Sequence, residues 1–494
     1  MMTPATIEWY RLHKPNLKQE EPSKMKNTLA RKLKQVPEGY LIIGIDPHKK
    51  RHAAVAISQD FTTRDKFKFD NTREGLEAML RRARTEMVKY GCRGVMFAIE
   101  TGGHYWRNIA YFLDERGLPF RLINAFTLKR RREGKELNRR KNDYRDGEVA
   151  AQLLCTGEFT ESKLPQGVYA ELRTAHNAYR RLVKESTRIT NLVKGLLDGL
   201  FPEFTQVFKD PCGLTALSVL STCAIPRVIA GMTEDEFVAI IEAQYKGRRL
   251  MRKKLRALHF IAGTSIGIDA GARSVSSEIA FLVDKLELIR QHICIIERTL
   301  VRLVDETEEG KYLLSIRGLN YIAVAGLLAE LGCFKSYQSA KQMIKMAGSN
   351  PTESESAGKR STNTPMSKKG RPVVRYCAWT SVIPMLRFNP DFRAWAKQRR
   401  ERPVHANPLG GREVVGAALN RLLRLAFVLV KKQTFYQLPR TDLVEIATWE
   451  VMKTSGGQGD AAQANGSSTE QTRVHIMVPL PPGQTRMGCD GTFE

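Results

Sequence analysis

No stretch of this 494-residue chain approaches the ~18 consecutive apolar residues that a membrane span needs. Its first residues (MMTPATIEWYRLHKPNLK) lack the short apolar core of a signal peptide. A membrane or secreted protein is therefore not expected. The eight cysteines (92, 155, 212, 223, 294, 333, 377 and 489) form no C-x-x-C pair, and the nine histidines no H-E-x-x-H. These absences argue against a structural zinc site and for reduced thiols in a cytoplasmic compartment. Acids are scarce: 52 Asp and Glu stand against 79 Lys and Arg, a formal net charge of +27. Such an excess is most often the footprint of a polyanion-binding protein, because Lys and Arg displace counterions from phosphate backbones. The plainer explanation is a merely soluble basic protein. At 42% hydrophobic residues the chain can build real cores, and its length suggests about three domains.

Along the chain, residues 1–38 are basic with no clear periodicity and read as an extension or arm. At Tyr40 the character changes. YLIIGID is a short β-branched run that predicts a buried strand, and AAVAI (53–57) a second, hairpin-paired with it; 62–69 can add a third. A helix near 72–89, a strand 95–99, a helix near 104–116 and a strand 120–125 follow. Residues 39–160 are thus expected to be an α/β domain with a mixed sheet.

From 161 to 310 the pattern is helical. Ile279, Leu286, Ile293 and Leu300 recur every seven residues, with Leu282, Ile289, Ile296 and Leu303 three residues after each: four uninterrupted heptads, a coiled-coil pattern. A weaker set runs through Ala175, Leu182, Ile189 and Leu196, with Tyr179, Val193 and Leu200 beside it. The seam can close an antiparallel hairpin within one chain or pair two subunits; both readings stay open. Residues 311–437 read as a compact, helical and very basic domain. Residues 438–494 form a tail, expected to be disordered after 454, where two Arg face four acids.

Four acids stand out. Asp46 ends the first strand in an otherwise apolar run, where a carboxylate is costly to bury unless it meets a cation or strong donor. Glu100 ends VMFAIE and precedes the turn TGG. Asp143 and Asp146 are three apart at the start of a helical pattern, so they project from one face. Each alone is most simply structural, the last two as helix N-terminal acids. Together, two strand-end acids and a D-x-x-D pair are what a hard divalent cation wants. Mg²⁺ takes oxygen ligands, and paired ions can clamp a phosphoryl displacement.

Farther on, IRGLNYIAVAGLLAELG (316–332) predicts a turn at Gly318 followed by a helix, whose backbone N–H groups can hold a phosphate. Then comes KMAGSNPTESESAGKRSTNTPMSKKGRPVVRY (345–376). Ser354 and Ser356 lie just before a run with six Lys or Arg and no acid between Lys359 and Arg375. A loop serine is ordinarily only that, but here a hydroxyl can attack a phosphorus whose charge is already neutralised. The basic candidates for nucleic-acid contact fall in three runs. The first holds Lys129, Arg130, Arg131, Arg132, Arg139 and Arg140. KGRRLMRKKLR (246–256) contributes Arg248, Arg249, Arg252 and Lys253. The serine region contributes Lys359, Arg360, Lys368, Lys369, Arg371 and Arg375. The bland reading of any such run is a solvated face.

In this order, GIDPHKKRHAAVAI, VMFAIETGG, Lys141-x-Asp143-x-x-Asp146, IRGL…AGLLAELG, KMAGSNP and KKGRPVVRY resemble the DEDD-type transposases of bacterial insertion sequences (family one-ten) over residues 40–436. The resemblance implies a RuvC-like, ribonuclease-H-like domain joined by coiled-coil helices to a mostly helical transposase domain. It implies Asp46, Glu100, Asp143 and Asp146 as Mg²⁺ ligands. It also implies a nucleophilic serine five residues after the Pro of G-x-x-P, which counts from Pro351 to Ser356. That serine would form a covalent phosphoserine link to DNA, with carboxylates of one subunit and serine of another in a homo-oligomer (dimer or tetramer). A structured noncoding bridge RNA would choose donor and target DNA, in the bacterial cytoplasm at the nucleoid. The chain departs from the pattern at Ser356-Ala357, where Ser-Gly is usual, which keeps Ser354 as runner-up, and at Gly370-Arg371, where Gly-Asn is usual. The leading expectation is a Mg²⁺-dependent, RNA-guided serine recombinase. The alternatives are a Holliday-junction resolvase or structure-specific nuclease using the acids alone, and a non-catalytic nucleic-acid-binding relative.

Overall fold

The computed structural model of the chain describes residues 28–135, 142–161, 164–247, 249–352, 355–356, 359–360, 365–403 and 408–438. They form two units, one ending at Leu164 and one beginning at Pro165.

The first unit is built on a five-stranded sheet of order β3-β2-β1-β4-β5: β1 Tyr40–Asp46, β2 Arg51–Ile57, β3 Thr63–Asp70, β4 Gly94–Glu100 and β5 Phe120–Ile123. β1, β2 and β3 pair antiparallel, while β4 and β5 run parallel to β1. This mixed order fits the RuvC-like domain that the resemblance implies. The central strands are buried on both faces, which is why they read as continuous apolar runs. At the edge, β3 alternates: Phe67 and Phe69 face inward, Lys66 and Lys68 outward. Helices Arg73–Lys89 and Trp106–Glu115 cover Leu41, Ile43 and Ile45 on one face. Helix Asp143–Cys155 covers the other, packing Val149, Ala150 and Leu153 with Ile42, Val55, Met96 and Ala98.

The period of two along a strand now places the acids. Asp46 shares a face with Ile42 and Gly44, and Glu100 with Met96 and Ala98, so both strand-end carboxylates project toward helix Asp143–Cys155. That helix reaches the sheet because two glycines meet. A Cβ on Gly44 would stand 1.8 Å from the Gly147 carbonyl oxygen, and one on Gly147 would stand 3.0 Å from that of Gly44.

Two elements differ from the sequence reading. β5 stops at Ile123, because the Asn124 side chain accepts the Phe126 N–H at 2.8 Å and helix Ala125–Lys135 begins there. Residues 28–33 of the expected basic arm form a helix docked on this unit. Arg31 pairs with Glu161, Lys32 donates to the Phe159 carbonyl, and Leu29 and Leu33 lie against Gly157. Six residues are too few to display a period. Residues 1–27 and 439–494, with the expected tail, lie outside the described residues.

In the second unit, helices Val168–Leu200 and Ala272–Asp305 run antiparallel along one another. The heptad seam is filled from within the chain: Ile279, Leu282, Leu286, Ile289, Leu300 and Leu303 are buried, and Ile293 and Ile296 partly so. Lys285 Nζ meets Glu185 Oε1 at 3.0 Å across it. Of the two readings left open, packing within the chain is the one observed. At one end, the pair joins helices Leu214–Thr222, Glu234–Gln244 and Arg252–Ala262 in a shared core. At the other, Leu172, Leu300 and Val304 belong to the core of the C-terminal helices, from Glu308–Leu314 to Gly411–Lys432. No helix among the described residues is long and apolar enough to cross a membrane. Cys92, Cys155, Cys212, Cys223, Cys333 and Cys377 are free thiols.

The glycine contact yields a prediction. Gly44→Ala places a methyl group inside a backbone carbonyl's radius, so the helix must lift from the sheet, at a cost on the order of 1–3 kcal/mol or more. A thermal-unfolding midpoint is expected to fall markedly for Gly44→Ala and by less for Gly147→Ala. An unchanged midpoint for Gly44→Ala would contradict the contact.

Candidate active site

Asp46, Glu100 and Asp146 offer carboxylate oxygens that all lie within 4.8 Å of one another, and Asp46, His48 and Asp143 form a second group meeting the same limit. The four acids picked from the sequence therefore converge at one edge of the sheet, with Asp46 common to both groups. The D-x-x-D pair starts a helix whose first turn is capped by Asn142, whose side chain accepts the Tyr144 N–H at 3.1 Å. From that shared face the two acids divide. Asp146 is buried with Asp46, beside the half-buried Glu100, while Asp143 sits at the rim.

Each acid has a different electrostatic setting. Arg132 Nη1 lies 2.6 and 2.8 Å from the two Asp146 oxygens, a charge-assisted contact that holds this carboxylate in place. Glu100 has its pKa pushed up to about 7, first by burial, then by the neighbouring charges of Asp46 and Asp146 and a hydrogen bond shared with Asp46; Arg132 offsets part of this. At the rim, Asp143 faces Lys68 Nζ at 3.6 Å and His48 Nε2 at 3.5 Å. His48 Nε2 also stands 3.2 Å from Asp46 Oδ2. The turn carrying His48 is tied down by its own backbone N–H, which donates to Nδ1 of the fully buried His52 at 3.0 Å.

The Asp46, Glu100 and Asp146 group is an all-oxygen donor set in excess of its local counter-charge, which suits a hard divalent cation. A Cβ on Gly102 would come within 3.1 Å of Glu100 Oε1, so the TGG turn also keeps space open beside that carboxylate. His48 was not singled out from the sequence. The available signal was its position two residues after a strand-end Asp. Arg132 was read as a phosphate contact, and its place beside Asp146 depends on helix Ala125–Lys135, which that reading did not contain.

In the second unit, backbone pairing joins 346–352 to 365–371. Arg371 N–H donates to the Met346 carbonyl (2.7 Å), Lys368 to Gly348 (2.8 Å) and Thr352 to Pro365 (2.8 Å). Beyond this stem, β6 Glu355–Ser356 and β7 Lys359–Arg360 pair antiparallel, with Ser356 opposite Lys359 at the end of the ladder. Ser354 lies outside the described residues, as do Arg139, Arg140 and Arg248. Gly318 sits at φ 103°, and helix Tyr321–Leu331 follows it, capped by Asn320, as expected.

Several basic candidates are already engaged. Arg371 is turned inward, its guanidinium on the Glu330 carbonyl and 3.6 Å from the Glu330 carboxylate. Arg375 donates to the carbonyls of Ala347 (2.7 Å) and Lys368 (3.4 Å). Arg252 pairs with Glu242, Arg131 with Glu158 at 3.5 Å and Lys129 with Glu133 at 3.8 Å. Arg130 lies over the exposed Phe126 ring. Arg249, Lys253, Lys368 and Lys369 are exposed.

Comparison with known proteins agrees with this layout. Residues 43–202 match a DEDD transposase family model of the IS110 kind, and residues 310–397 match the model described as transposase IS116/IS110/IS902 family. An uncharacterized 44.8 kDa protein of insertion element IS116 from Streptomyces clavuligerus is 22% identical over 381 residues, 74% of this chain and 90% of that protein. A protein ascribed the role of mini-circle transposase for IS117 in Streptomyces coelicolor is 26% identical over 296 residues, 56% of this chain and 69% of its own length. An uncharacterized 43.6 kDa protein of insertion element IS110 from the same species is 21% identical over 315 residues, 62% and 75% respectively.

The raised Glu100 pKa has a measurable consequence. A carboxyl whose folded pKa lies above its unfolded one stabilises the fold while protonated. That contribution is complete below about 4.5 and lost as pH rises through about 7. In chelator-treated protein, Glu100→Gln is therefore expected to gain thermal stability relative to wild type across that window, with the difference levelling off above it. A difference that does not vary with pH would show that Glu100 is not held near neutrality.

Proposed function

This chain carries the transposase domains of the IS110/IS116/IS902 family, and on that premise we propose that it is a DNA recombinase acting through a covalent phosphoserine intermediate. It would cut and rejoin DNA at insertion-element ends and at a target. A structured noncoding bridge RNA would choose both. The observation that carries the reading is the convergence of Asp46, Glu100, Asp143 and Asp146 at one sheet edge, in a chain of net charge +27.

Mg²⁺ fits the oxygen donors of the first group, and when bound it supplies charge neutralisation and polarisation at a phosphodiester. The chain's own residues supply the rest. Asp46 bridges the two groups, Arg132 fixes Asp146, and Glu100 can hold or shed a proton near neutral pH. Ser356 is the nucleophile. Its Oγ bonds to phosphorus as the P–O bond to one strand end breaks, and the serine proton leaves with the departing oxygen as a hydroxyl. Attack by a second strand's hydroxyl reverses this and restores the serine, so the phosphodiester bond is conserved without a cofactor that carries energy. Placement of Ser356 at the end of the β6–β7 ladder, beside Lys359 and Arg360 in sequence, supports the assignment.

The chain is taken to work as a homo-oligomer. In support, helix Ala272–Asp305 leaves Phe281, Leu288 and Ile295 exposed at seven-residue intervals, apart from the seam that its partner helix fills. Changing all three to Ser is expected to lower the mass in solution by light scattering. An unchanged mass would count against pairing through this row.

The chemical test is a denaturing-gel search for a protein–DNA adduct formed with Mg²⁺, element-end DNA and RNA transcribed from the element's flank. The expected result is an adduct that maps to Ser356 and disappears in Ser356→Ala. An adduct at Ser354 would keep the reaction class and correct the residue. Cleavage that persists with Ser354 and Ser356 both changed to Ala would replace the serine reading with hydrolysis by the carboxylate site alone. Asp46→Asn is expected to abolish cleavage with little loss of nucleic-acid binding, which rests on many Lys and Arg contacts.

A further inference from the structure

The two ligand groups at the sheet edge are chemically unlike. Asp46, Glu100 and Asp146 present oxygen only, whereas Asp46, His48 and Asp143 present two carboxylates and one imidazole nitrogen. We propose that His48 Nε2 is a cation ligand at the second of these positions, biasing it toward a first-row transition ion over Mg²⁺. The proposal rests on reading these acids as a cation centre and deepens that reading.

The geometry around Nε2 is the main ground. It lies 3.2 Å from Asp46 Oδ2 and 3.5 Å from Asp143 Oδ1. A charge-assisted N–H···O contact closes to ~2.7–2.9 Å, shorter than either separation. Nε2 makes no hydrogen bond to either. Ligands ~2.1 Å from a common ion, by contrast, stand about 3.0–3.4 Å from each other in octahedral or tetrahedral arrangements. The Nε2–Asp46 separation falls in that range and the Nε2–Asp143 separation just beyond it, with the ligand atoms of all three residues within 4.8 Å of one another, so the spacing suits ligands around a point better than a donor with its acceptors.

The turn that carries His48 is itself held in place. It sits in the short turn between β1 and β2, two residues from Asp46, and its backbone N–H is held by the buried His52. Because His52 Nδ1 accepts that hydrogen bond, its lone pair is fixed on the turn. This holds the backbone of the turn from which the His48 side chain extends. Asp143 reaches the same point from a separate element, the capped helix Asp143–Cys155. Lys68, from β3, also faces Asp143, and it supplies a positive group that an ion would displace to solvent. Imidazole suits later first-row ions, and Mg²⁺ favours oxygen, so the His48 position discriminates where the all-oxygen position does not.

The test uses the full chain and Mn²⁺ alone, followed by titration calorimetry and by pulsed electron paramagnetic resonance, which reports ¹⁴N coupled to the ion. Wild type is expected to bind two Mn²⁺, one with an imidazole ¹⁴N coupling that excess Mg²⁺ removes less readily than it removes the other ion. His48→Ala is expected to lose the ¹⁴N signal and weaken one site by at least ~10-fold, leaving the other unchanged, with folding checked by circular dichroism. His48→Gln, which keeps the polar volume, should also lose the ¹⁴N signal, and it serves as the readout if the alanine variant unfolds. Two ions without ¹⁴N coupling, or a single ion without it, would overturn the role of His48 while leaving the carboxylate centre standing. No Mn²⁺ binding to wild type would overturn the carboxylate centre itself, and this proposal with it.

Discussion

The contact of Gly44 with Gly147 sets the distance on which the site depends. Helix Asp143–Cys155 lies against β1 backbone to backbone because neither residue carries a Cβ at the crossing. Asp146 is the residue before Gly147, and Asp46 lies two residues after Gly44 on the same face of the strand. The closeness of the glycines is thus passed directly to the carboxylates. Any side chain at that crossing would push the helix outward and separate the acids, even with every strand intact. Packing of Val149, Ala150 and Leu153 on Ile42 and Val55 holds the helix down beyond the crossing, and the Asn142 cap fixes where it starts.

Close approach carries an electrostatic cost. Burying Asp46 and Asp146 near Glu100 sets like charges against each other in a region of low dielectric, and the structure answers in three ways. Arg132 neutralises Asp146, Lys68 faces Asp143, and Glu100 has its proton affinity raised until it can stay neutral near pH 7. The frustration that remains is concentrated at one sheet edge, as expected where a site is arranged for a ligand rather than for stability. A divalent cation would relieve it, and the same charge balance would let the site return to a stable form without one.

Much of the first unit was legible because its signals are local. The β-branched runs at 40–46 and 53–57 and the alternation through Phe67 and Phe69 mark strands without help from the rest of the chain, and the strand-end positions of Asp46 and Glu100 follow from them. The heptads at 279–303 were equally plain, but a heptad does not say whose helix fills the seam. That required Val168–Leu200, whose own pattern is weaker. The roles of His48 and Arg132 were not legible for a related reason. His48 acts through a turn that brings it back over Asp46. Arg132 acts through a helix whose start is set by the Asn124 cap, where the residues read equally well as a continued strand. Both roles are long-range consequences of short-range choices.

The basic runs carry the same lesson further. Read as sequence, they form a uniform basic surface; in the structure they part company, and not simply by residue type, since Lys129 pairs with Glu133 while Arg249 is exposed. Arg132, Arg371, Arg375 and Arg252 are spent on internal partners, whereas Lys253, Lys368 and Lys369 point to solvent. Arg371 and Arg375 both tie the stem that carries the serine hairpin, through Glu330 and through the carbonyls of Ala347 and Lys368. A planar guanidinium with several fixed donors suits that work, since it can bind a carboxylate and backbone carbonyls together. A lysine is a mobile point charge, better matched to a phosphate backbone whose position varies. Around the serine hairpin the basic residues therefore divide: Arg371 and Arg375 hold the stem in shape, while Lys368 and Lys369 stay exposed beside it.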